Sequence, residues 1–332
     1  MTRRIVFLSK GEDSSSTRYR ALQFFERLRE ADFDPCHLTI AGPVASYVRA
    51  LLALRKAEIV VVLRKTFPRA VLWVLRKCSK RLVFDLDDAI FCNSDGSSSA
   101  TRMSRFADMV RVADQVTAGN NFLERAVAPF NRNVAVIPTC VDVEKYAVSA
   151  EQPADHFDLV WIGSRSTRKY LEDLLPALEQ CVQRVPKLRL KIVADFTLRS
   201  GTIKIIPVQW SASSEALELA SAHIGVAPMR DDDWSRGKCA LKVLQYMAAG
   251  LPVVSSAAGV NADIVRPGEN GELAGNTHAW VDAIEKLYQQ PELRASYGIN
   301  GRYLVRDQYS IDAVSARLIA VFNQLCASKK PG

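Results

Sequence analysis

From Met229 to Ser256 the chain reads Met-Arg-Asp-Asp-Asp-Trp-Ser-Arg-Gly-Lys-Cys-Ala-Leu-Lys-Val-Leu-Gln-Tyr-Met-Ala-Ala-Gly-Leu-Pro-Val-Val-Ser-Ser. The spacing predicts a helix opening near Gly237, on which Lys238, Lys242 and Gln245 fall at i, i+4 and i+7 while Leu241, Leu244 and Ala248 take the neighbouring face. A helix N-terminus presents unpaired N–H groups and a partial positive charge. Two lysines in its first two turns would therefore build a site for a dianionic group such as diphosphate. The plainer alternative is an exposed basic helix face. Gly250-Leu251-Pro252 then drops into a buried-looking strand, which sets the helix beside a sheet edge, where α/β proteins bind ligands.

Other chemistries lack their signatures. No Gly-x-Gly-x-x-Gly follows a first-strand candidate, which removes the phosphate-cradling turn of a dehydrogenase-type dinucleotide site, and no P-loop occurs. Seven cysteines, at 36, 78, 92, 140, 181, 239 and 326, are scattered singly, and only four histidines could help build a metal site. No metal or other cofactor is expected, and lone thiols suit a reducing compartment.

A chain of 332 residues, 48% hydrophobic and 24% charged, has ordinary globular composition, which excludes collagen-like, wholly disordered and disulfide-stapled classes. Single cores rarely grow past roughly 250 to 300 residues, so two domains are expected. Short β-branched runs alternate with helical periodicity, which predicts parallel sheets with crossover helices. In the first half strands are expected at Arg4 to Ser9, Glu58 to Leu63, Leu82 to Leu86, Gln115 to Ala118 and Val134 to Ile137. The serines of Gly11 to Ser16 can cap a helix beginning near Thr17, with Leu22, Phe25 and Leu28 inward.

Residues 141–157 turn polar and read as a linker. Beyond it, strands are expected at Phe157 to Gly163, Leu188 to Ala194, Ile203 to Ile206, His223 to Pro228 and Pro252 to Ser255, with helices near 169–184, 213–221 and 237–249. Ile311 to Cys326 carries Val314, Leu318, Val321 and Leu325 at helical spacing and needs an apolar surface to lie on.

Charge is uneven: residues 1–150 hold 23 Lys and Arg against 16 acids, and 151–332 hold 21 against 20. Ten of the basic residues fall within 49–81, with Glu58 the one acid there. Such a surface attracts phosphate, anionic lipid or nucleic acid, and its sign alone does not choose among them. Lys65 to Lys80 reads as a basic amphipathic helix. One reading is a crossover helix with its apolar stripe on the sheet and a solvated basic face. The other adds docking of residues 65–81 on an anionic membrane surface, with Phe67 and Trp73 near the interface. The longest apolar runs, Ile59 to Leu63 and Ala70 to Leu75, fall far short of the ~20 residues that span a bilayer. Met1-Thr2-Arg3-Arg4 leads at once into a strand-like run without a signal-peptide hydrophobic region, so a cytoplasmic location is expected.

Met247-Ala248-Ala249-Gly250-Leu251-Pro252-Val253-Val254, with Gly259 and Pro267-Gly268-Glu269-Asn270-Gly271 beyond it, resembles the nucleotide-sugar half of retaining glycosyltransferases of family 4, which have the GT-B fold. Val160-Trp161-Ile162-Gly163-Ser164 is similar to the first strand and loop of that family's C-terminal domain, and Ser15-Ser16-Thr17-Arg18-Tyr19-Arg20 to its N-terminal loop and helix start. The resemblance implies an α/β chain with a Rossmann-like acceptor-binding domain over 1–150 and a Rossmann-like nucleotide-sugar-binding domain over 151–310. It further implies a deep cleft between them and a helix over 311–332 crossing back to the first domain.

The family usually carries two glutamates, the first contacting the donor sugar and the second the ribose; here the matching positions are Gly237 and Gln245. Gln245 can still hydrogen-bond a ribose hydroxyl through its amide. Many relatives have an Arg directly after the glycine of the first C-domain loop and a Lys a few residues on, both holding diphosphate. Here Ser164 follows Gly163, with Arg165, Arg168 and Lys169 nearby. Lys242 and Lys238 offer positive charge from the other side. The nucleobase would lie on Ile206 to Trp210, with Val208 offering backbone and Trp210 either stacking on the ring or packing in the core. Asp231, Asp232 and Asp233 would reach sugar hydroxyls or form a solvated acidic turn. In the first domain Asp85, Asp87 and Asp88 end a strand, with Asp85 and Asp87 on one face, and would orient hydroxyls and stabilise oxocarbenium-like charge. Arg18 and Arg20 would approach the leaving phosphate or an acceptor phosphate, or else form a plain surface helix start.

The implied reaction is metal-independent, retaining transfer of a hexose-like unit from a nucleoside-diphosphate sugar to an acceptor hydroxyl of a glycan, lipid-linked sugar or small molecule. No nucleic acid partner is implied, and the expected place is the cytoplasm or the inner face of the membrane. The altered glutamate pair leaves open a second reading, a non-catalytic sugar-nucleotide-binding partner subunit, and the fold itself a third, a sugar-nucleotide epimerase that would need no acceptor.

Overall fold

A computed structural model of the chain describes residues 2–39 and 51–328. Arg49, at the start of the basic stretch, and the last four residues of 311–332 lie outside them. The chain divides into two compact units. The first comprises Met1–Cys140, Asp232–Cys239 and Ile311–Gly332, and the second comprises Val141–Asp231 and Ala240–Ser310. This division differs from the sequence reading at the 140/141 boundary and in giving Asp232–Cys239 to the first unit.

In the first unit, β1 (Arg3–Ser9), β2 (Phe33–Thr39), β3 (Ile59–Leu63), β4 (Leu82–Leu86), β5 (Gln115–Ala118) and β6 (Val134–Val136) form a parallel sheet in the order β2-β1-β3-β4-β5-β6. Every residue of β3 and β4 is buried, as a parallel strand covered on both faces requires. The sequence reading has no strand at β2. That strand carries Asp34 and Pro35 and lies at the sheet edge, where a residue without an N–H is tolerated.

Side chains alternate between two cores. One packs Val60, Val62, Phe84 and Leu86 under the helical layer of Leu72, Leu75, Phe106 and Met109; the other packs Ile5, Phe7, Val61 and Val83 under Phe24, Leu28 and Phe322. Ser14 caps the helix Ser15–Arg20, its Oγ accepting from the Thr17 N–H at 3.2 Å. That helix does not continue. Ala21 leaves helical geometry, a 3-10 turn Leu22–Phe24 follows, and the shifted phase buries Ala21, Phe24 and Leu28 in place of the expected Leu22, Phe25 and Leu28.

The helix Ile311–Ala327 belongs to this unit, with Val314, Leu318 and Phe322 buried and the Phe322 ring 6.5 Å from Phe7 and 6.1 Å from Phe33. Its last carbonyls lack helical donors, and Arg81 supplies them, donating to Leu325 O at 2.6 Å and Cys326 O at 2.8 Å.

In the second unit, β7 (Phe157–Ile162), β8 (Leu188–Ala194), β9 (Lys204–Gln209), β10 (Ile224–Ala227), β11 (Val253–Ser256) and β12 (Gly271–Ala274) are again parallel, in the order β12-β11-β10-β7-β8-β9. This is a Rossmann-type strand order, and it reverses between β7 and β10. The missed strand is the edge strand β12, whose Gly-Glu-Leu-Ala lacks β-branched residues.

His223 is buried in this unit, stacked 4.6 Å from Phe157, its Nδ1 accepting from the Asp158 N–H at 3.0 Å. Burial, helped by Arg294, pushes its pKa down to about 4. The unfolded chain therefore takes up this proton first. Stability should be whole above pH ~6.5 and fall as pH drops toward about 4, by up to about 3 kcal/mol. His223→Asn should flatten that part of the urea-midpoint profile against pH.

Candidate functional site

In the second unit the strand order reverses at the carboxyl ends of β7 and β10, the place where open α/β sheets take ligands. Gly163 and Ser164 follow β7 and lead into the 3-10 turn Arg165–Thr167 and the helix Arg168–Cys181. A Cβ at Gly163 would sit 2.3 Å from Trp161 Cη2 and 2.9 Å from Thr167 Oγ1, so only glycine lets the loop close over the indole. Onto this loop comes Lys242, whose Nζ lies 3.3 Å from Thr167 Oγ1 and 5.2 Å from the Trp161 ring centroid. The fold thus brings together Gly163, Ser164, Thr167 and Lys242.

The helix bearing Lys242 is Leu241–Ala248, shorter than expected. Ala240, at φ 53°, is left-handed and stops it from running back to Gly237. Asp232–Cys239 instead folds with the first unit. Asn120 Nδ2 donates to Arg236 O at 3.2 Å and Lys238 O at 3.0 Å. Gly237 lies so close to Ala89 that an added Cβ would meet the Ala89 Cβ at 2.5 Å. Lys238 is therefore off the helix: its Nζ pairs with Asp88 Oδ1 at 3.2 Å and sits 4.8 Å over the Trp234 ring. The expected joint Lys238 and Lys242 face does not form, and Lys242 alone stands at the helix N-terminus.

Gln245 is buried, its Nε2 donating to Tyr146 Oη at 2.8 Å. Tyr146 in turn donates to Glu215 Oε1 at 2.9 Å, and Glu215 also takes Lys145 Nζ at 2.5 Å and the Trp210 indole N–H at 2.8 Å. The residues read for ribose and base, Gln245 and Trp210, are thus tied together through a buried carboxylate, and Trp210 is half-buried with its N–H engaged. Tyr146 and Glu215 were not legible as site residues. Tyr146 falls in the stretch read as linker, yet Val141, Val143 and Tyr146 are buried, and an unbroken run without a buried residue covers only 147–156.

Arg165 is exposed and paired with Asp195 at 3.0 Å, Lys169 lies 5.0 Å over Tyr170, and Val208 is half-buried on the edge strand β9. Asp232 is a helix cap, its Oδ1 accepting from the Ser235 N–H at 2.7 Å, and Asp233 pairs with Arg236 at 3.5 Å, which fits the acidic-turn reading.

The first unit gathers its own charges at the carboxyl end of its sheet. Asp85 is buried and bidentate with Arg20, at 2.7 and 3.0 Å, and accepts from Thr117 Oγ1 at 2.7 Å. Arg20 spends its remaining nitrogen on Ile137 O at 2.7 Å. Burial opposes its charge, but Asp85 outweighs burial and holds the guanidinium above its ordinary value. Both expectations are corrected here. Arg20 does not reach toward a phosphate and Asp85 does not face a substrate, because each is the other's internal partner. Arg18 is half-buried, its guanidinium 5.7 Å from the Tyr19 ring.

Asp87 and Asp88 follow β4. Arg64, a residue sequence reading passed over, sits at φ 53° directly after β3 and pairs with both, 3.4 Å from Asp87 Oδ1 and 2.6 Å from Asp88 Oδ2. Its place just beyond an apolar parallel strand was the available signal. Burial pushes the Asp88 pKa up, against the pull of Lys238 and Arg64. Among the described residues no group of three or more His, Cys, Asp or Glu side chains is placed to hold a metal ion.

Residues 156–290 match the family model described as Glycosyl transferases group 1. The phosphatidyl-myo-inositol mannosyltransferase of Mycobacterium leprae is 28% identical over 171 residues, 49% of this chain and 44% of that protein. The chain spans less than half the length of the first curated relatives it matches. Sucrose-phosphate synthase from Thermosynechococcus elongatus superposes with a TM-score of 0.78 at 17% identity, over 98% of this chain and 100% of that one. Anabaena HepE, solved with UDP and glucose, gives 0.72 at 15% identity, over 97% and 100%. At such identities these two structures speak for the fold. The chain has the two parallel α/β units of the GT-B fold, and residues 156–290, which hold the Lys242 site, carry the group 1 glycosyl transferase pattern.

Proposed function

We propose that the protein is a glycosyltransferase that moves a sugar, with retention, from a nucleoside-diphosphate sugar to an acceptor hydroxyl. The observation that carries this reading is that the group 1 match, over 156–290, encloses the loop and helix that bring Gly163, Thr167 and Lys242 together. In that role Lys242 and the first-turn N–H groups of its helix would neutralise the diphosphate, as anions at helix N-termini are neutralised. Gln245, oriented through Tyr146 and Glu215, would bond the ribose. HepE's complex with UDP and glucose supports a uridine donor. The mannosyltransferase named for phosphatidyl-myo-inositol supports a lipid acceptor. Asp87 and Asp88, fixed by Arg64 and Lys238, would supply negative charge as the donor bond breaks.

Purified full chain should release nucleoside diphosphate from one of the common sugar nucleotides faster when an acceptor is added. Asp87→Asn and Asp88→Asn should each lower kcat on the order of a hundredfold, with donor affinity nearly unchanged. Wild-type rates in both would remove the two carboxylates from the mechanism.

One observation favours a second reading. Gly237, in the position where relatives place a sugar-contacting glutamate, has no room for any side chain against Ala89. A sugar-nucleotide-binding partner subunit without turnover would be consistent with that. Donor binding with no nucleoside diphosphate released, under any acceptor, would select it.

A further inference from the structure

The first unit's surface apolar residues are concentrated on one side of its sheet. Its exposed large hydrophobics among the described residues are Leu52, Val71, Trp73, Val74 and Met103, and all five lie on the helical layer over β3 and β4. Three of them belong to the helix Arg69–Cys78, which buries only Leu72 and Leu75. The opposite turn of that helix, Ala70, Trp73, Val74 and Lys77 at i, i+3, i+4 and i+7, is exposed, with Trp73 65% accessible. An ordinary crossover helix puts its apolar stripe inward and charge outward. Here the outward stripe is largely apolar, and the exposed Arg69, Lys77 and Lys80 flank it.

The surroundings are cationic. Residues 51–81 hold nine Lys and Arg and one acid, Glu58, which Lys80 and Arg81 already pair. Arg55, Lys56 and Lys77 are exposed on the same layer, and Arg102 and Arg105 are exposed beside Met103. A second copy docking face to face would set these like charges against one another, which disfavours self-association through this layer. A bilayer surface rich in anionic headgroups meets both demands. It takes lysine and arginine at headgroup level and an indole with short aliphatic side chains at the acyl boundary.

We propose that the helical layer around Trp73 docks the first unit onto an anionic lipid bilayer, with Trp73 and Val74 entering the interface and Lys77, Arg55 and Lys56 binding lipid headgroups. This is independent of sugar transfer. A chain that binds vesicles but transfers no sugar would sink only the enzymatic reading.

The test is co-sedimentation of the full chain with vesicles of phosphatidylcholine alone or with about 30 mol% phosphatidylglycerol. Binding should appear only with the anionic lipid and weaken as salt rises. Trp73→Ser and Lys77→Glu should each weaken it about tenfold, with circular-dichroism melts unchanged because both residues are exposed. Tryptophan fluorescence should be quenched by brominated phosphatidylglycerol in wild type and not in Trp73→Phe. Absence of binding to anionic vesicles, as an acidic protein partner would give, overturns the proposal. Wild-type binding by the Trp73→Ser, Lys77→Glu double variant overturns it equally.

Discussion

Replacing Lys242 with alanine is expected to weaken nucleoside-diphosphate binding by ten- to a hundredfold, the loss of about 1.5–3 kcal/mol that a charge-assisted hydrogen bond to an anion supplies. Lys242 is the one lysine the fold sets at the N-terminus of Leu241–Ala248, 3.3 Å from Thr167 Oγ1. Lys242→Arg should recover only part of the affinity, since a planar fork does not replace a compact ammonium over the Trp161 ring. Lys238→Ala is the informative partner variant. Because its ammonium pairs with Asp88 in the first unit, it should leave diphosphate affinity nearly unchanged in calorimetry. An equal loss in both variants would restore the two-lysine site and contradict the geometry.

The Arg20 and Asp85 pair carries the largest expected effect on stability. Asp85→Leu leaves a buried guanidinium without its carboxylate, which costs about 3–5 kcal/mol. That is a large part of a typical folding free energy of roughly 5–15 kcal/mol. Urea denaturation should show a greatly lowered midpoint or an unfolded chain. The double variant Arg20→Met, Asp85→Leu should recover most of the loss, because apolar substitutes of similar volume replace buried ion pairs at little cost. Single variants that melt as wild type would mean the pair is solvated.

What the sequence disclosed follows from where each signal is local. The central strands β3, β4 and β7 are apolar runs, broken only by Asp85 in β4 and Asp158 in β7, and are buried on both faces, so their positions could be read directly. The edge strands β2 and β12 are short or proline-bearing and could not. Periodicity placed Lys238 on a helix because a 3.6-residue pattern is blind to the left-handed Ala240 and to the packing of Gly237 on Ala89. Pairings such as Arg20 with Asp85, 65 residues apart, and Tyr146 with Glu215, 69 apart, leave no trace in local spacing. Composition gave Lys65 to Lys80 its basic and apolar character. Which face pointed outward needed the sheet beneath it.

The most direct measurement is a structure of the full chain crystallised with UDP and, in parallel, with GDP. The account predicts diphosphate oxygens within hydrogen-bonding distance of Lys242 Nζ and the first N–H groups of Leu241–Ala248, ribose against Gln245, and Lys238 still held by Asp88. Diphosphate density away from the loop after β7, with Lys242 untouched, would contradict it.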